Sequence, residues 1–383
     1  MDSIYFKAPT AFVIQNGCME ELYKHLKKLN ITKCLVVTDA TISKLGIADE
    51  IIEKTKGFGV EFTVYDGCEP EPPVENTKEA LKKYEEENCE GVIGLGGGSS
   101  MDVAKAVAML VTNGGDYTDY VGVNKVPCRC APLILIPTTS GTGSEVSMFS
   151  IMMVNGMKAG VCDQNITAHI ALVDPKLTRT VPRNITASTG LDAFCHLLEC
   201  YISKLANTMS DMIALEGIKY IWKYLRKAVG DGEDMEARYW MSYASALGGF
   251  GPNLVDGCAA NHGFAFALGA VYHLGHGLAN ALMLPYVFPV VAKAELNKMP
   301  RLAETMGICT HGKTKKELMY EIAEEIREMV DDVGCLKPLG DFGASLEDLD
   351  RLAEETLLQT RVMGHSSWKL TSDEIKEIFQ RAM

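Results

Sequence analysis

The sequence predicts an α/β N-terminal domain built on a parallel sheet, residues 1–183, followed by an all-α C-terminal domain, residues 184–383. Three observations carry this expectation. Short apolar runs alternate with charged helical patterns up to about Pro182. Beyond it the β-branched runs disappear and 3.6-residue periodicity takes over. A glycine-rich turn also links an apolar run to a helical pattern in the first half. Strands that alternate with helices pair in parallel and are covered on both faces.

Taken in order, Cys34–Thr38 reads as a buried strand and Asn76–Asn88 as an amphipathic helix. Gly91–Gly96 is again a strand, Ser100–Leu110 a helix and Pro132–Pro137 a strand. In the second half, helical periodicity covers Leu191–Ser203, Ser210–Val229, Glu236–Gly248 and Lys315–Val330. No internal repeat or low-complexity tract interrupts the pattern.

Composition bounds the function classes. A chain of 383 residues with 47% hydrophobic and 23% charged residues is globular and long enough for two cores. Its net charge of −13 repels polyanions, so neither nucleic acid nor an anionic membrane surface is an expected partner. The twelve cysteines include no CxxC pair and read as reduced thiols. The first residues lack the basic and apolar regions of a signal peptide, and apolar stretches such as Ala131–Pro137 are too short to span a bilayer. The expected compartment is the cytoplasm.

The N-terminal half carries its chemistry in Gly94-Leu95-Gly96-Gly97-Gly98-Ser99-Ser100-Met101-Asp102, between a strand and a helix. Glycines admit a close ligand, and a helix N-terminus offers free N–H groups and a favourable dipole, which suits a pyrophosphate in a Rossmann-like, dinucleotide-binding sheet. A tight turn capped by Ser99, with Asp102 in the first turn, is the plainer reading. A strict GxGxxG is absent, and the turn lies near residue 95 rather than after the first strand. Asp39, after the strand Cys34–Thr38, either accepts from ribose hydroxyls or caps the helix Thr41–Leu45. A second polar turn, Pro137 to Glu145, suits a ligand at the carboxyl edge of the sheet.

In the C-terminal half, Asp192 and His196 stand four apart on one helical face, a spacing at which both can ligate one metal ion. Thr189 with Asp192 equally resembles a helix start. Asn261-His262-Gly263 and Gly275-His276-Gly277 bracket a small-residue stretch that also holds His273, so three of eight histidines fall within fifteen residues. Two imidazoles from here would complete a four-ligand set with Asp192 and His196. His25, His169, His311 and His365 lack such company and read as surface or structural.

Four segments in this order resemble the iron-containing, or group III, alcohol dehydrogenases of the dehydroquinate synthase-like superfamily. They are Gly96–Lys105 (GGGSSMDVAK), Ile136–Glu145 (IPTTSGTGSE), Ala171–Glu199 and His262–Val287. The resemblance spans nearly the whole chain. It implies a dinucleotide-binding α/β domain, a helical metal-binding and substrate domain, and an active-site cleft between them. It also implies NAD(H), one divalent metal and a homo-oligomer of at least two copies. Matched residue by residue, the metal ligands are Asp192, His196, His262 and His276. The cofactor set is Asp39, Glu71, Gly96, Gly97, Gly98, Ser99, Asp102, Thr138, Thr139, Ser147 and Lys158. Asp39 holds the position that favours NAD over NADP.

Departures from the family pattern shape the remaining expectations. A second histidine four residues after His262 is replaced by Phe266, and His273 is the candidate substitute in proton relay beside the catalytic Asp192 and His262. The usual Asn-Pro is Glu71-Pro72, which places a second carboxylate against a 2′-phosphate. The usual Asn-Pro-Arg gives way to Met363-Gly364-His365-Ser366-Ser367.

The implied reaction is hydride transfer between nicotinamide and a carbonyl carbon, with the metal as Lewis acid. The donor set suits Fe(II) and Zn(II) alike, and the family name points to iron. Phe149, Asn253, Cys258 and Phe266 are the candidate substrate contacts. Cys258 is expected one helical turn before His262, and Asn253 either lines the pocket or starts that helix as a cap. Small polar groups there favour a short polar aldehyde; an anionic one, sulfonated or carboxylated, would need a cation such as Lys158 or Arg361. The alternatives are zinc-dependent polyol oxidation as in glycerol dehydrogenase, a dehydroquinate synthase-like lyase, and a non-catalytic binding protein. The lyase needs a basic cluster that the metal segments lack. The binding protein would not need both sites intact.

Overall fold

Apolar runs without alternation, such as Leu35-Val36-Val37 and Leu133-Ile134-Leu135-Ile136, suit only strands covered on both faces, and all of these side chains are buried. The computed structural model describes residues 4–383 and divides into two compact units, Lys7–Thr180 and a second comprising residues 4–6 with Val181–Met383.

In the first unit the chain runs through β1 (Ala11–Ile14), α1 (Leu22–Lys28), β2 (Lys33–Val37), α2 (Ala40–Lys44), α3 (Ile47–Thr55) and β3 (Glu61–Tyr65). It continues through α4 (Val74–Glu86), β4 (Gly91–Gly96), α5 (Gly98–Asn113), β5 (Gly122–Val123) and β6 (Leu133–Pro137). It ends with β7 (Phe149–Val154), β8 (Met157–Cys162) and β9 (Ile170–Val173). The main sheet has the order β1-β9-β6-β4-β2-β3 and is parallel throughout, with Val36 opposite Ile93 and Ile93 opposite Ile134. The order reverses between β2 and β4, so a crevice opens at the carboxyl ends of those two strands.

A second sheet joins β7 and β8 as an antiparallel hairpin, with β5 parallel to β8. Asn155 and Gly156 close the hairpin at φ 50° and 77°, the paired left-handed conformation that a two-residue hairpin turn requires.

The second unit is helical. Its principal elements are α6 (Arg183–Ile202), α7 (Thr208–Gly230), α8 (Met235–Leu254), α9 (Ala260–Tyr272) and α10 (His276–Val291). Then follow α11 (Met299–Thr305), α12 (Lys315–Asp332), α13 (Leu349–Leu358), α14 (Thr360–His365) and α15 (Ser372–Ala382). Thr189 lies inside α6, its hydroxyl donating to the Ile185 carbonyl at 2.7 Å, so it does not start a helix as its spacing to Asp192 allowed. Gly190 and Gly217 mark close helix packing: a Cβ at Gly190 would stand 2.4 Å from Leu225 Cδ1. The helical run His276–Thr305 is long and apolar enough to cross a membrane, but 67% of its most apolar stretch is packed inside this unit. Core helices of this kind share that composition.

Candidate metal centre and nucleotide cradle

Three helices of the second unit build one cluster. Asp192 and His196 project from the same face of α6, His262 from the first turn of α9 and His276 from the first residue of α10. Their ligand atoms all lie within 4.8 Å of one another. The Nε2 atoms of His196 and His262 are each 4.0 Å from Asp192 Oδ1, and that of His276 is 3.7 Å away. Asp192, His196 and His262 are buried. Burial alone would raise the Asp192 carboxyl, but the facing His196, His276 and His262 rings and the Asn280 amide hold it below the usual carboxylate range.

The arrangement fits a metal ion. His262 Nε2 is buried and has no hydrogen-bond partner among the described residues, which is costly unless a ligand takes its lone pair. The other ring nitrogen, Nδ1, pairs with Glu199 Oε2 at 2.6 Å, so Nδ1 carries the proton and Nε2 presents its lone pair to the cluster. Bonds of about 2.1 Å to one tetrahedral centre set donors about 3.4 Å apart, so the Asp192–imidazole separations of 3.7–4.0 Å need to close by only a few tenths of an ångström around an ion.

Two polar residues here were not singled out from the sequence. Buried Glu199 accepts from the Ala259 N–H at 2.9 Å and the Asn261 N–H at 2.5 Å besides holding the His262 ring. Asn280 donates to Asp192 Oδ1 at 2.8 Å and accepts from Asn261 Nδ2 at 3.0 Å. Helical spacing carried the signal for both: Glu199 continues the stripe of Asp192 and His196, and Asn280 lies one turn after His276.

The substrate candidates fall unevenly around this cluster. Phe266 sits against it, stacked on His276 at 5.4 Å between centroids and edge-on to His262 at 6.2 Å. Cys258 does not lie on the helix of His262; α8 ends at Leu254, Gly257 takes φ 121°, and α9 begins only at Ala260. Its thiol nevertheless meets both rings: burial pushes it up, and the His262 and His196 imidazoles bring it down to about 7. Asn253 caps no helix start; it is buried in the last turn of α8. His273 stands apart at the C-terminal end of α9 with φ 56°, eleven residues from His262 or about 16 Å along a helix. His365 is buried against the turn before α9, its Nδ1 3.1 Å from the Cys258 carbonyl. Arg361 donates to the Asp256 carbonyl at 2.8 Å.

In the first unit, α5 begins without a side-chain cap. Gly97 is the N-cap residue, and neither Ser99 nor Asp102 closes the box that the plainer reading of this turn required. The first-turn N–H groups therefore point toward the crevice beside β2 and β4. A Cβ at Gly97 would meet nothing nearer than Thr139 Oγ1 at 3.8 Å, so the space is open for a ligand. Gly96 has no room for any side chain: it takes φ 148°, and a Cβ there would stand 2.7 Å from Ser100 Oγ. Thr138 N–H donates to the Gly96 carbonyl at 2.9 Å and joins the second polar turn to the first.

Asp39 caps α2, its Oδ1 accepting from Thr41 N at 2.8 Å and Ile42 N at 3.1 Å. Its Oδ2 lies 3.5 Å from Ser100 Oγ, beside the glycine turn. The carboxylate thus caps with one oxygen and turns the other to the cradle. Asp102 is occupied by protein groups, accepting from Ser144 Oγ at 2.6 Å and Ile151 N at 3.0 Å. The Lys105 ammonium, 0% exposed, donates to Ser144 Oγ at 2.7 Å, Ser147 Oγ at 3.1 Å and the Phe149 carbonyl at 2.6 Å. Ser147 and Phe149 are therefore held to α5 from below. Glu71 and Lys158 meet each other, Nζ to Oε1 at 2.6 Å.

Residues 9–175 match the family model described as iron-containing alcohol dehydrogenase, and residues 186–383 match that of its C-terminal part. The chain belongs to the iron-containing alcohol dehydrogenase family. This alcohol dehydrogenase is 35% identical over 369 residues to long-chain-alcohol dehydrogenase 1 of Geobacillus thermodenitrificans, covering 96% of this chain and 93% of that one. It is 33% identical over 353 residues to the NAD-dependent methanol dehydrogenase of Bacillus methanolicus, covering 91% of this chain and 92% of that one. A solved 1,3-propanediol oxidoreductase superposes with a TM-score of 0.96 at 29% identity, over the full length of both chains. Alcohol dehydrogenases are oxidoreductases, and the α/β unit with its helical partner is the architecture of this family.

Proposed function

We propose that this chain transfers a hydride between NAD(H) and a short, polar aldehyde or alcohol, using one divalent metal held by Asp192, His196, His262 and His276. The convergence of those four side chains, with the buried Nε2 of His262 making no hydrogen bond among the described residues, carries the reading. When bound, the ion supplies Lewis-acid polarisation of a carbonyl and the nicotinamide supplies the hydride. The donor set of three imidazoles and a carboxylate takes Fe(II) or Zn(II), and the family points to Fe(II).

The chain's own residues prepare this chemistry. Glu199 keeps the proton of His262 on Nδ1. Phe266 covers the His262 and His276 rings with an apolar surface that holds off water and carries no proton. The uncapped N-terminus of α5, with Gly97, Gly98 and Ser99, binds the diphosphate, and Asp39 Oδ2 accepts from a ribose hydroxyl. Cys258 offers a small polar group beside the His196 and His262 rings, which favours short polar substrates over long alkyl chains. Arg361, held beside Gly257 by the Asp256 carbonyl, is the cation that an anionic aldehyde would have to draw on. Twelve thiols without a disulfide suit a reducing cytoplasm, and the family suggests a homo-oligomer of at least two copies.

Steady-state NADH oxidation tests the reading with butanal, hexanal, glycolaldehyde and an anionic two-carbon aldehyde. The expected result is highest kcat/KM for the polar two-carbon substrates, loss of activity on chelation and recovery with Fe(II) or Zn(II). Rates that climb steadily with alkyl length would overturn the substrate assignment, and full activity in metal-free protein would overturn the metal.

A further inference from the structure

A lysine and a glutamate that the sequence offered separately to the nucleotide are joined to each other. Lys158 lies on β8, opposite Met153 of β7, and its ammonium reaches Glu71 Oε1 at 2.6 Å. Glu71 takes φ 51°, a left-handed conformation that asparagine and glycine adopt far more readily than glutamate. The segment that carries it is fastened at both ends. Cys68 N–H donates to the Thr38 carbonyl at 3.2 Å, next to Asp39, and Met153 N–H donates to the Pro72 carbonyl at 2.9 Å. Pro73 continues that pairing as a bridge to Met153. Residues 68–73 therefore form a wall that runs from Asp39 to the β7–β8 hairpin. Three residues of chain separate Cys68 from Glu71, a span of at most about 10 Å, within the reach of one nucleoside bound beside Asp39.

We propose that the Glu71–Lys158 pair is a nucleotide discriminator that works by occupying the lysine. The pair is neutral, so Glu71 does not act as the second repelling carboxylate expected from its sequence position. It instead engages the cation that would otherwise meet a phosphate on the 2′ oxygen of the adenosine ribose. A 2′-phosphate entering beside Asp39 then faces the negative charge of that carboxylate and a lysine already bound, whereas a 2′-hydroxyl loses nothing. The side chains are 22% and 38% exposed, so the pair is held weakly enough to be released by a single substitution.

This inference rests on the nucleotide reading above, and the experiment separates the two. The metal-loaded full-length protein is titrated with NADH and with NADPH by fluorescence, as wild type, Glu71→Asn and Glu71→Asn with Lys158→Met. Asparagine keeps the left-handed turn. Lys158 released from Glu71 gives a charge-assisted contact to the 2′-phosphate, so Glu71→Asn is expected to tighten NADPH by about tenfold while NADH changes by less than about threefold. The added Lys158→Met substitution is expected to abolish the gain. An unchanged NADPH affinity in Glu71→Asn overturns the proposal. So does a gain that survives Lys158→Met, because Glu71 would then act through its own charge. Wild type that binds NADPH as well as NADH overturns it too, and wild type that binds neither overturns the nucleotide reading itself.

Discussion

Replacing Glu199 by glutamine changes few atoms and should cost the metal centre dearly. The Glu199 carboxylate receives Ala259 N–H at 2.9 Å and His262 Nδ1 at 2.6 Å on Oε2, and Asn261 N–H at 2.5 Å and His262 N–H at 3.4 Å on Oε1. Glutamine has one acceptor oxygen and one NH₂. If the NH₂ faces Oε1's partners, two backbone donors in a buried site lose their acceptor, a penalty of about 1–3 kcal/mol. If it faces His262, Nδ1 must accept, the proton moves to Nε2, and that nitrogen can no longer bind metal. Loss of such a supporting carboxylate weakens metal affinity by about 10–100-fold, or about 1.4–2.7 kcal/mol. Zn(II) affinity is measured by competition with a chromophoric chelator, and thermal unfolding of the metal-free protein reports the fold separately. An affinity within about threefold of wild type in a normally folded variant would refute the role assigned to Glu199.

Two further expectations concern the first unit. Burial raises the Glu145 carboxyl from 4.5 to about 7. The folded state thus binds this proton more tightly than the unfolded chain, so the group's contribution is complete below pH 4.5, falls as pH rises toward 7 and is lost above it. Glu145→Gln should therefore gain up to about 3 kcal/mol relative to wild type between about pH 5 and pH 8 in urea unfolding, and a pH-independent difference would contradict this. Gly97→Ala places a methyl in the open space of the cradle, 3.8 Å from the nearest protein atom. Its stability should change by less than about 1 kcal/mol while NADH affinity falls at least about tenfold; equal affinity by titration would show that no phosphate sits there.

The sequence made the sheet legible where strands are wholly buried, because Leu35–Val37 and Leu133–Ile136 leave no other fold for an unbroken apolar run. It hid the β7–β8 hairpin, whose strands do not alternate cleanly, although Asn155-Gly156 is a strong local turn signal. Helix α9 is rich in glycine and alanine, so periodicity had little contrast to reveal that Cys258 precedes α9 and that Asn253 ends α8. Residue spacing offered Asp192 and His196 with His262, His273 and His276, and the family resemblance selected the four that cluster. Helical spacing placed Glu199 and Asn280 beside these residues but did not disclose their roles, which lie in contacts across 63 and 88 residues of chain, to His262 and Asp192. Likewise, the meeting of Glu71 with Lys158 depends on the pairing of β7 with β8, which the Asn155-Gly156 turn alone did not disclose.

The four donors come from α6, α9 and α10, and 66 residues separate His196 from His262. An ion shared among them is in effect a crosslink that closes a long loop of chain, and its binding free energy adds directly to the cohesion of those helices. The stretch between α8 and α10 holds a left-handed Asp256, the Gly257 turn and a terminal His273 also at positive φ, and so has little regular structure of its own at its two ends. If the four side chains hold the ion as proposed, its occupancy would bias the local unfolding equilibrium of this stretch as well as its reactivity. Removing the ion would then take away one link among α6, α9 and α10, and resistance to proteases there would follow metal supply.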